Sequence, residues 1–564
     1  MRKAIRRVLS VVNPFSLIRR GIFAFTNWRR GFQKIDYILF TLPQQLPPLT
    51  ENRSFLRERL LGKTPLSLTE LNRIFERIGD DPRPKGVILN LRGLQMSLAN
   101  LQTLRSSILR LRTKNKRVIC FAHNYDNATY FIASAADEIV MQPGGEVATL
   151  GMRSQAVFLK DALDTLGVKM DAVAISPFKN ALDMFTRRDM SPEGAAQLNW
   201  LLDSQYGILV DTIADGRKRT HDAIRAMIDT APHLDHVALA AGYVTAVETE
   251  EDLHRRLGSE HIIPWSEADK KVFQKWRKSA DKYVALLHVS GTMMPGESGK
   301  PPVDIPLPFV GDERAGDLTV VSQVRNLMKN KSAAAVILYI DSPGGDAHAA
   351  EAMTSALLEL AKDRPLVVYM NSVAASGGYY IATPAQWIIA QPGTITGSIG
   401  VFSAKPITNG LFERLRVHRV ELTRGANANY LSDSEPFTEA QRERMRQTIT
   451  HIYDQFVGHV SRSRGMTAET VDALGGGRVW TGLQAKENGL VDELGDLYAA
   501  LTKARSLANL PDEAPLVLVR GKRKPLPAQF AEQSNPAAIL DYLQVGVAGL
   551  CSGHPLMLMP FEWK

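Results

Sequence analysis

Two residues of this chain carry the types and settings that peptide-bond chemistry needs. Ser376, in ASGGYY, follows the apolar run PLVVYM and precedes Gly377, Gly378 and a helical stretch. A serine at a strand-to-helix turn stands beside the free N–H groups of a helix start, and adjacent glycines admit a close backbone. The same setting suits a simple helix cap, so the serine alone decides nothing. Lys179, in SPFKNALD, is flanked by Pro177, Phe178, Ala181, Leu182 and Phe185. Apolar surroundings disfavour the charged amine and turn a lysine into a competent base, and Ser-Lys pairs are a known variant of the Ser-His-Asp arrangement.

A repeat links the two. Residues 130–151 read YFIASAADEIVMQPGGEVATLG and residues 379–400 read YYIATPAQWIIAQPGTITGSIG, in a constant register of 249. Ser376 corresponds to Asn127, and Lys179 to Ala428. One copy keeps a nucleophile and the other a base, which predicts one hydrolytic site at the seam between the copies rather than two. DSPGGDAH (Asp341–His348) adds a Gly-Gly turn before a helix expected near Ala347, where glycine amides could face a developing oxyanion. The first copy has Arg92-Gly93-Leu94-Gln95-Met96 there, so the Gly pair occurs only in the copy with the serine. Ser398, in TGSIG, could accept from the lysine or guide its proton; its partner Thr149 is also a hydroxyl, which suits a structural cap equally well. His348 and Lys405 are rival bases.

The elements that must position these groups follow from pattern. Short apolar runs at Lys85–Leu91, Arg117–Ala122 and Glu138–Met141, then YVALLHV, AAVILYI, PLVVYM and WIIA, read as buried strands, with helical patterns such as Leu98–Leu111 between them. Alternating strands and helices predict an α/β fold with parallel pairing. Long helices are expected at Pro192–Arg219 and Thr438–Arg464. The domain reading is a basic amphipathic segment and Pro-rich connector (1–53), a first copy (54–265), a charged helical linker (266–282), a second copy (283–510) and a C-terminal tail (511–564), part of whose apolar stretch VGVAGLCSGHPLMLMPF is expected to dock. The insertion Met293–Asp317, rich in Pro and Gly, has a length that suits a functional loop.

The charge is segregated. The chain has 564 residues and a net charge of +9, and residues 1–34 hold nine Lys and Arg and no acid, which leaves the remainder neutral. A nucleic-acid-binding core is therefore not expected. No stretch reaches the ~18 apolar residues of a bilayer span, and no secretory signal is evident. Val8, Val11, Val12, Phe15, Leu17, Ile18, Ile22, Phe23, Phe25 and Trp28 among arginines suit helices lying in an anionic membrane interface. Cys120 and Cys551 make neither a disulfide framework nor a metal set. No metal spacing, P-loop or dinucleotide fingerprint is present, so no cofactor is expected.

ASGGYYIA, TGSIG, DSPGG, FKNALDMFTRRDMSP and GRVWTGLQAKENGLVDELG, in this order over residues 54–510, resemble signal peptide peptidase A, also called protease IV, in its long duplicated bacterial form. The resemblance implies tandem ClpP/crotonase-like domains and a serine peptidase with a Ser/Lys dyad. Ser376 would be the nucleophile, Lys179 the general base and Ser398 the residue that orients the lysine, with Gly344 and Gly377 offering oxyanion amides. It also implies signal-peptide substrates, a homotetramer and the bacterial inner membrane. Single-copy members carry a lysine where this chain has Ala428. Members usually have an N-terminal transmembrane anchor, whereas only the amphipathic segment stands here. A crotonase-like acyl-CoA enzyme would use the same glycine amides without needing both Ser376 and Lys179, and a non-catalytic scaffold would need neither.

Overall fold

The computed structural model describes residues 14–50, 64–258, 260–276, 280–300, 313–519, 553 and 555–559. Contacts divide the chain into two units, residues 1–151 with 207–279 and residues 152–206 with 280–564. The division falls inside a long helix, Pro192–Arg217, and it puts residues 152–206 with the second half of the chain.

The first unit is built on a six-stranded sheet in the order Ile262–Pro264, Tyr37–Leu42, Gly86–Leu91, Arg117–Ala122, Glu138–Met141, Ala246–Val247. Every neighbouring pair is parallel. Parallel sheets are covered on both faces, which is why these strands are near-continuous apolar runs; all six residues of Gly86–Leu91 are buried. The helices Leu68–Asp80 and Leu98–Thr113 start at Ser67 and Ser97, whose side chains accept from Glu70 N and Asn100 N. Such caps satisfy N–H groups that the helix itself leaves open.

The second unit holds an eight-stranded sheet. Its main path runs Val479–Thr481, Ile395–Gly397, Leu366–Ala375, Ala333–Ser342, Tyr283–Ser290, Leu516–Leu518. Trp387–Ala390 pairs with Leu366–Ala375 and with Glu493–Leu494. All pairs are parallel except Ile395–Gly397 with Val479–Thr481. The long central strands bury Val336, Leu338, Ile340, Val368 and Met370 against helices that include Ala347–Asp363. A second, six-stranded sheet has the order Arg314–Gly316, Thr292–Met294, Gly344–Asp346, Leu556–Leu558, Phe402–Ile407, Lys169–Ala174.

The structure departs from the sequence reading in four places. The Gly-Gly turn of DSPGGDAH is a short strand, Gly344–Asp346, joined to the helix at Ala347. The charged linker is helical only over Trp265–Lys271. Residues 511–564 are more than a docked tail, because Leu516–Leu518 and Leu556–Leu558 are strands in two different sheets. The insertion at 293–317 contributes the strands Thr292–Met294 and Arg314–Gly316, while its centre, 301–312, lies outside the described residues. At the N-terminus the described helix is Pro14–Gly31, and residues 1–13 lie outside.

Candidate active site

Ser376 sits between the strand Leu366–Ala375 and the helix Gly377–Tyr380. It occupies the N-cap position, yet its side chain makes no capping hydrogen bond. Its backbone is at φ 57°, ψ −114°, a conformation that costs a non-glycine residue about 1–3 kcal/mol and persists only where surroundings enforce it. One enforcing contact is the Ser376 N–H donating to Gly397 O at 2.8 Å. The corresponding position of the first unit is relaxed: Asn127 opens the helix Asn127–Ala133, Asp126 caps it, and Asn127 Nδ2 donates to Gly151 O.

Lys179 belongs to the same unit as Ser376 and meets it directly. Its Nζ lies 2.8 Å from Ser376 Oγ, 2.9 Å from Ser398 Oγ and 3.0 Å from Ser398 O. Both Ser376 and Ser398 are fully buried, and Lys179 is 2% exposed. Burial pushes the amine well below its ordinary value of 10.5, because an ammonium loses its hydration there and no carboxylate is at hand to replace it. A neutral amine has two N–H groups and one lone pair. Two donations to Ser398 and one acceptance from the Ser376 hydroxyl use all three, which prepares the hydroxyl proton for removal.

The apolar neighbours expected to bury the lysine are only part of its surroundings. Ala181 is buried, Phe178 and Leu182 are half-buried, and Pro177 is exposed. Glycines make up the rest. A Cβ on Gly477 would stand 2.6 Å from Lys179 Cα, and one on Gly400 would stand 3.2 Å from Lys179 Cδ. Gly477, at φ 95°, belongs to the GGGR run, which holds the lysine backbone in place. Ser176 Oγ donates to Gly476 O, and Lys179 N donates to Ser176 O at 3.1 Å. Ser398, itself at φ 50°, is fixed by its N–H donating to Arg478 O at 2.6 Å. The one sequence signal for this support was three consecutive glycines, 475–477.

The oxyanion candidates differ. Gly377 opens its helix, so its N–H has no acceptor within that helix. The Gly344 N–H donates to Ser342 Oγ at 3.2 Å. Gly344 has a φ of 100°, which favours glycine, and a Cβ there would come within 2.7 Å of Gly377 N. The two glycine backbones therefore lie together. The rival bases lie elsewhere. Lys405 Nζ donates to Ser432 O at 2.8 Å and lies over the Phe437 ring, and His348 is exposed. Asp341 was not singled out from sequence as a group of its own. It accepts from Asn371 Nδ2 at 2.7 Å and Val373 N at 3.2 Å, and burial pushes its carboxyl up to about 6.

A family model described as peptidase family S49 matches the chain twice, at residues 110–262 and 359–511. The two matches are displaced by the same 249 residues as the repeat. The chain belongs to peptidase family S49. Protease 4 of Haemophilus influenzae is 31% identical over 454 residues, covering 76% of this chain and 71% of that protein. The chloroplastic serine protease SPPA of Arabidopsis thaliana is 27% identical over 515 residues, covering 89% and 73%. Among solved structures, a ClpP1 variant from Listeria monocytogenes covers 38% of this chain and 94% of its own, at 13% identity and a TM-score of 0.24. The chain is thus a long, duplicated protease 4 homologue in which two family domains of α/β type stand in tandem.

Proposed function

We propose that this protein is a membrane-associated serine endopeptidase that degrades cleaved signal peptides, with Ser376 as nucleophile and Lys179 as general base. The observation that carries the reading is the buried contact of 2.8 Å between Lys179 Nζ and Ser376 Oγ, with the amine held neutral by burial. Lys179 takes the hydroxyl proton as Ser376 Oγ attacks the scissile carbonyl. The oxyanion forms against the Gly377 N–H, with the adjacent Gly344 backbone completing the cradle. Lys179 then passes its proton to the leaving amine, and the same lysine activates the water that frees the acyl-enzyme. Ser398 holds the amine in line through both its hydroxyl and its carbonyl. Fluorophosphonate treatment is expected to label wild type at Ser376 and leave Ser376→Ala unlabelled; equal labelling of the two would exclude this serine.

Membrane association rests on the helix Pro14–Gly31. Among the described residues no helix is long and apolar enough to cross a membrane. This helix instead displays Ile18, Ile22, Phe25 and Trp28, continued by Phe32, each 55–69% exposed. Their spacing places them along one stripe of a helix. Another part of the helix is tied down: Asn27 Nδ2 donates to Gln274 O at 2.8 Å, Arg30 Nε donates to Lys270 O at 3.1 Å, and Phe23 packs edge-on against Trp276. An apolar stripe flanked by Arg19, Arg20 and Arg29 suits the headgroup layer of an anionic bilayer. Ile22→Ser/Phe25→Ser/Trp28→Ser is expected to abolish co-flotation with phosphatidylglycerol-containing vesicles while Ser376 labelling persists. Undiminished flotation would assign membrane contact elsewhere. The family resemblance supports a homotetramer at the bacterial inner membrane.

A further inference from the structure

The reaction just described requires a peptide to reach Ser376, yet Ser376 is fully buried and Lys179 nearly so. One short segment of the chain accounts for part of that cover. Leu556–Leu558 forms the middle strand of the six-stranded sheet, between Gly344–Asp346 and Phe402–Ile407. It runs antiparallel to both, with Gly344 opposite Leu558, Gly345 opposite Met557, Asp346 opposite Leu556, and Phe402 also opposite Leu556. The ladder continues at each end, where Met559 N donates to Pro343 O at 2.8 Å and Ala347 N donates to Pro555 O at 3.3 Å.

The walls of this slot carry the site. One is the Gly-Gly strand of DSPGGD, and the other begins four residues after Ser398. The Met557 carbonyl is the telling atom. A Cβ on Gly344 would overlap Met557 O, and a Cβ on Gly377 would come to 3.3 Å of the same oxygen. The segment thus sets a peptide carbonyl against the two glycines placed to receive an oxyanion. Its side chains divide as those of an extended peptide do. Leu556 and Leu558 pack with Ala181 and Phe402, while Met559 packs with Leu201, Ala375, Ile395 and Val479. Leu556 through Met559 are each at most 3% exposed. Adding one extended strand between two others is a general mode of peptide recognition, in which main-chain bonds hold and alternate pockets select.

We infer that the slot between Gly344–Asp346 and Phe402–Ile407 is the peptide-binding track of the enzyme, and that Pro555–Met559 occupies it as a built-in competitor for extended apolar peptides. The inference rests on the peptidase reading above. Substrate enters when the segment withdraws, and the segment's own sequence, PLMLM, reports the side chains that the track accepts: aliphatic residues and methionine on both faces. Where a site is free only a fraction of the time, apparent affinity falls by that fraction.

Two tests on the full chain address it. Leu556→Ser/Leu558→Ser weakens the packing of the segment and is expected to raise both fluorophosphonate labelling at Ser376 and hydrolysis of an apolar fluorogenic peptide by about 10-fold, as when a site open ~10% of the time becomes fully open. Synthetic PLMLM peptide added to this variant is expected to restore the slower rates. The second test needs no loss of packing. Asp346 and Leu556 stand directly opposite each other, so Asp346→Cys/Leu556→Cys, in a Cys551→Ser background, can lock the segment by a disulfide. The oxidised lock is expected to suppress peptide hydrolysis and reduction to restore it. Ser376 labelling that proceeds at one rate with the segment intact, weakened or locked would overturn the inference and leave the peptidase reading standing. Absence of Ser376-dependent labelling in every form would overturn both.

Discussion

Replacing Lys179 by alanine is expected to lower kcat/KM for an apolar peptide by about 10⁴-fold, the scale set by loss of a general base that acts with its nucleophile as a unit. The expectation comes from geometry. Nζ faces Ser376 Oγ, Ser398 Oγ and Ser398 O at 2.8, 2.9 and 3.0 Å in a buried setting. A lysine that only filled space or held a positive charge would be replaced in part by arginine. A guanidinium stays protonated and cannot take the Ser376 proton, so Lys179→Arg is expected to be as inactive as Lys179→Ala. Ser398→Ala leaves the base in place and removes one of its three partners, so a smaller loss, about 10- to 100-fold, is expected there. Steady-state kinetics on the four proteins decides the matter. Activity in Lys179→Arg near that of wild type would remove the lysine from the chemistry.

The sequence made much of this arrangement readable, for physical reasons that differ by element. Parallel strands buried on both faces are written as unbroken apolar runs, so Arg117–Ala122, Glu138–Met141 and Trp387–Ala390 were placed from sequence to the residue. The helix Glu439–Arg464 was readable because Thr438 and Gln441 form a capping box and Gly465 ends it at φ 64°. What periodicity cannot say is which sheet a segment joins. Residues 152–206 follow the first copy in sequence but pack with the second, where Lys169–Ala174 pairs antiparallel with Phe402–Ile407. Lys179 therefore meets Ser376 inside one compact unit and not at a seam between two. Gly344–Asp346 was hidden for a different reason. Glycine carries no strand signal, and this strand exists because Met293 and Leu556–Leu558 lie on either side of it. The supporting glycines Gly400 and Gly477 were visible as letters, but their role is set by the lysine backbone that crosses them.

Replacing Lys179 by methionine is expected to raise stability while destroying activity, and the size of the gain should depend on pH. Lys179 is fully buried and its pKa lies well below 10.5 in the folded protein, whereas an unfolded lysine titrates at about 10.4. Between those two values the unfolded chain binds a proton that the folded chain does not, so stability rises with pH across that window. The contribution is therefore most favourable above pH 10.5 and is lost as pH falls toward the depressed folded value. Methionine fills a similar volume and never has to shed a proton. Its advantage is greatest at low pH, shrinks as pH climbs, and vanishes near 10.5. At pH 7 a gain of 1 kcal/mol would raise the melting temperature by roughly 2–4 °C in a domain of this general size. Loss of the contacts to Ser376 and Ser398 offsets part of it, about 1 kcal/mol per hydrogen bond at most. The activity profile of wild type carries the complementary sign: kcat/KM should climb with pH as Lys179 becomes neutral and level off above its depressed pKa. Melting curves of the two proteins from pH 6 to 10 test the linkage. A gap that is constant across that range would mean that the lysine carries the same charge folded and unfolded, which is incompatible with a neutral amine poised to take the Ser376 proton.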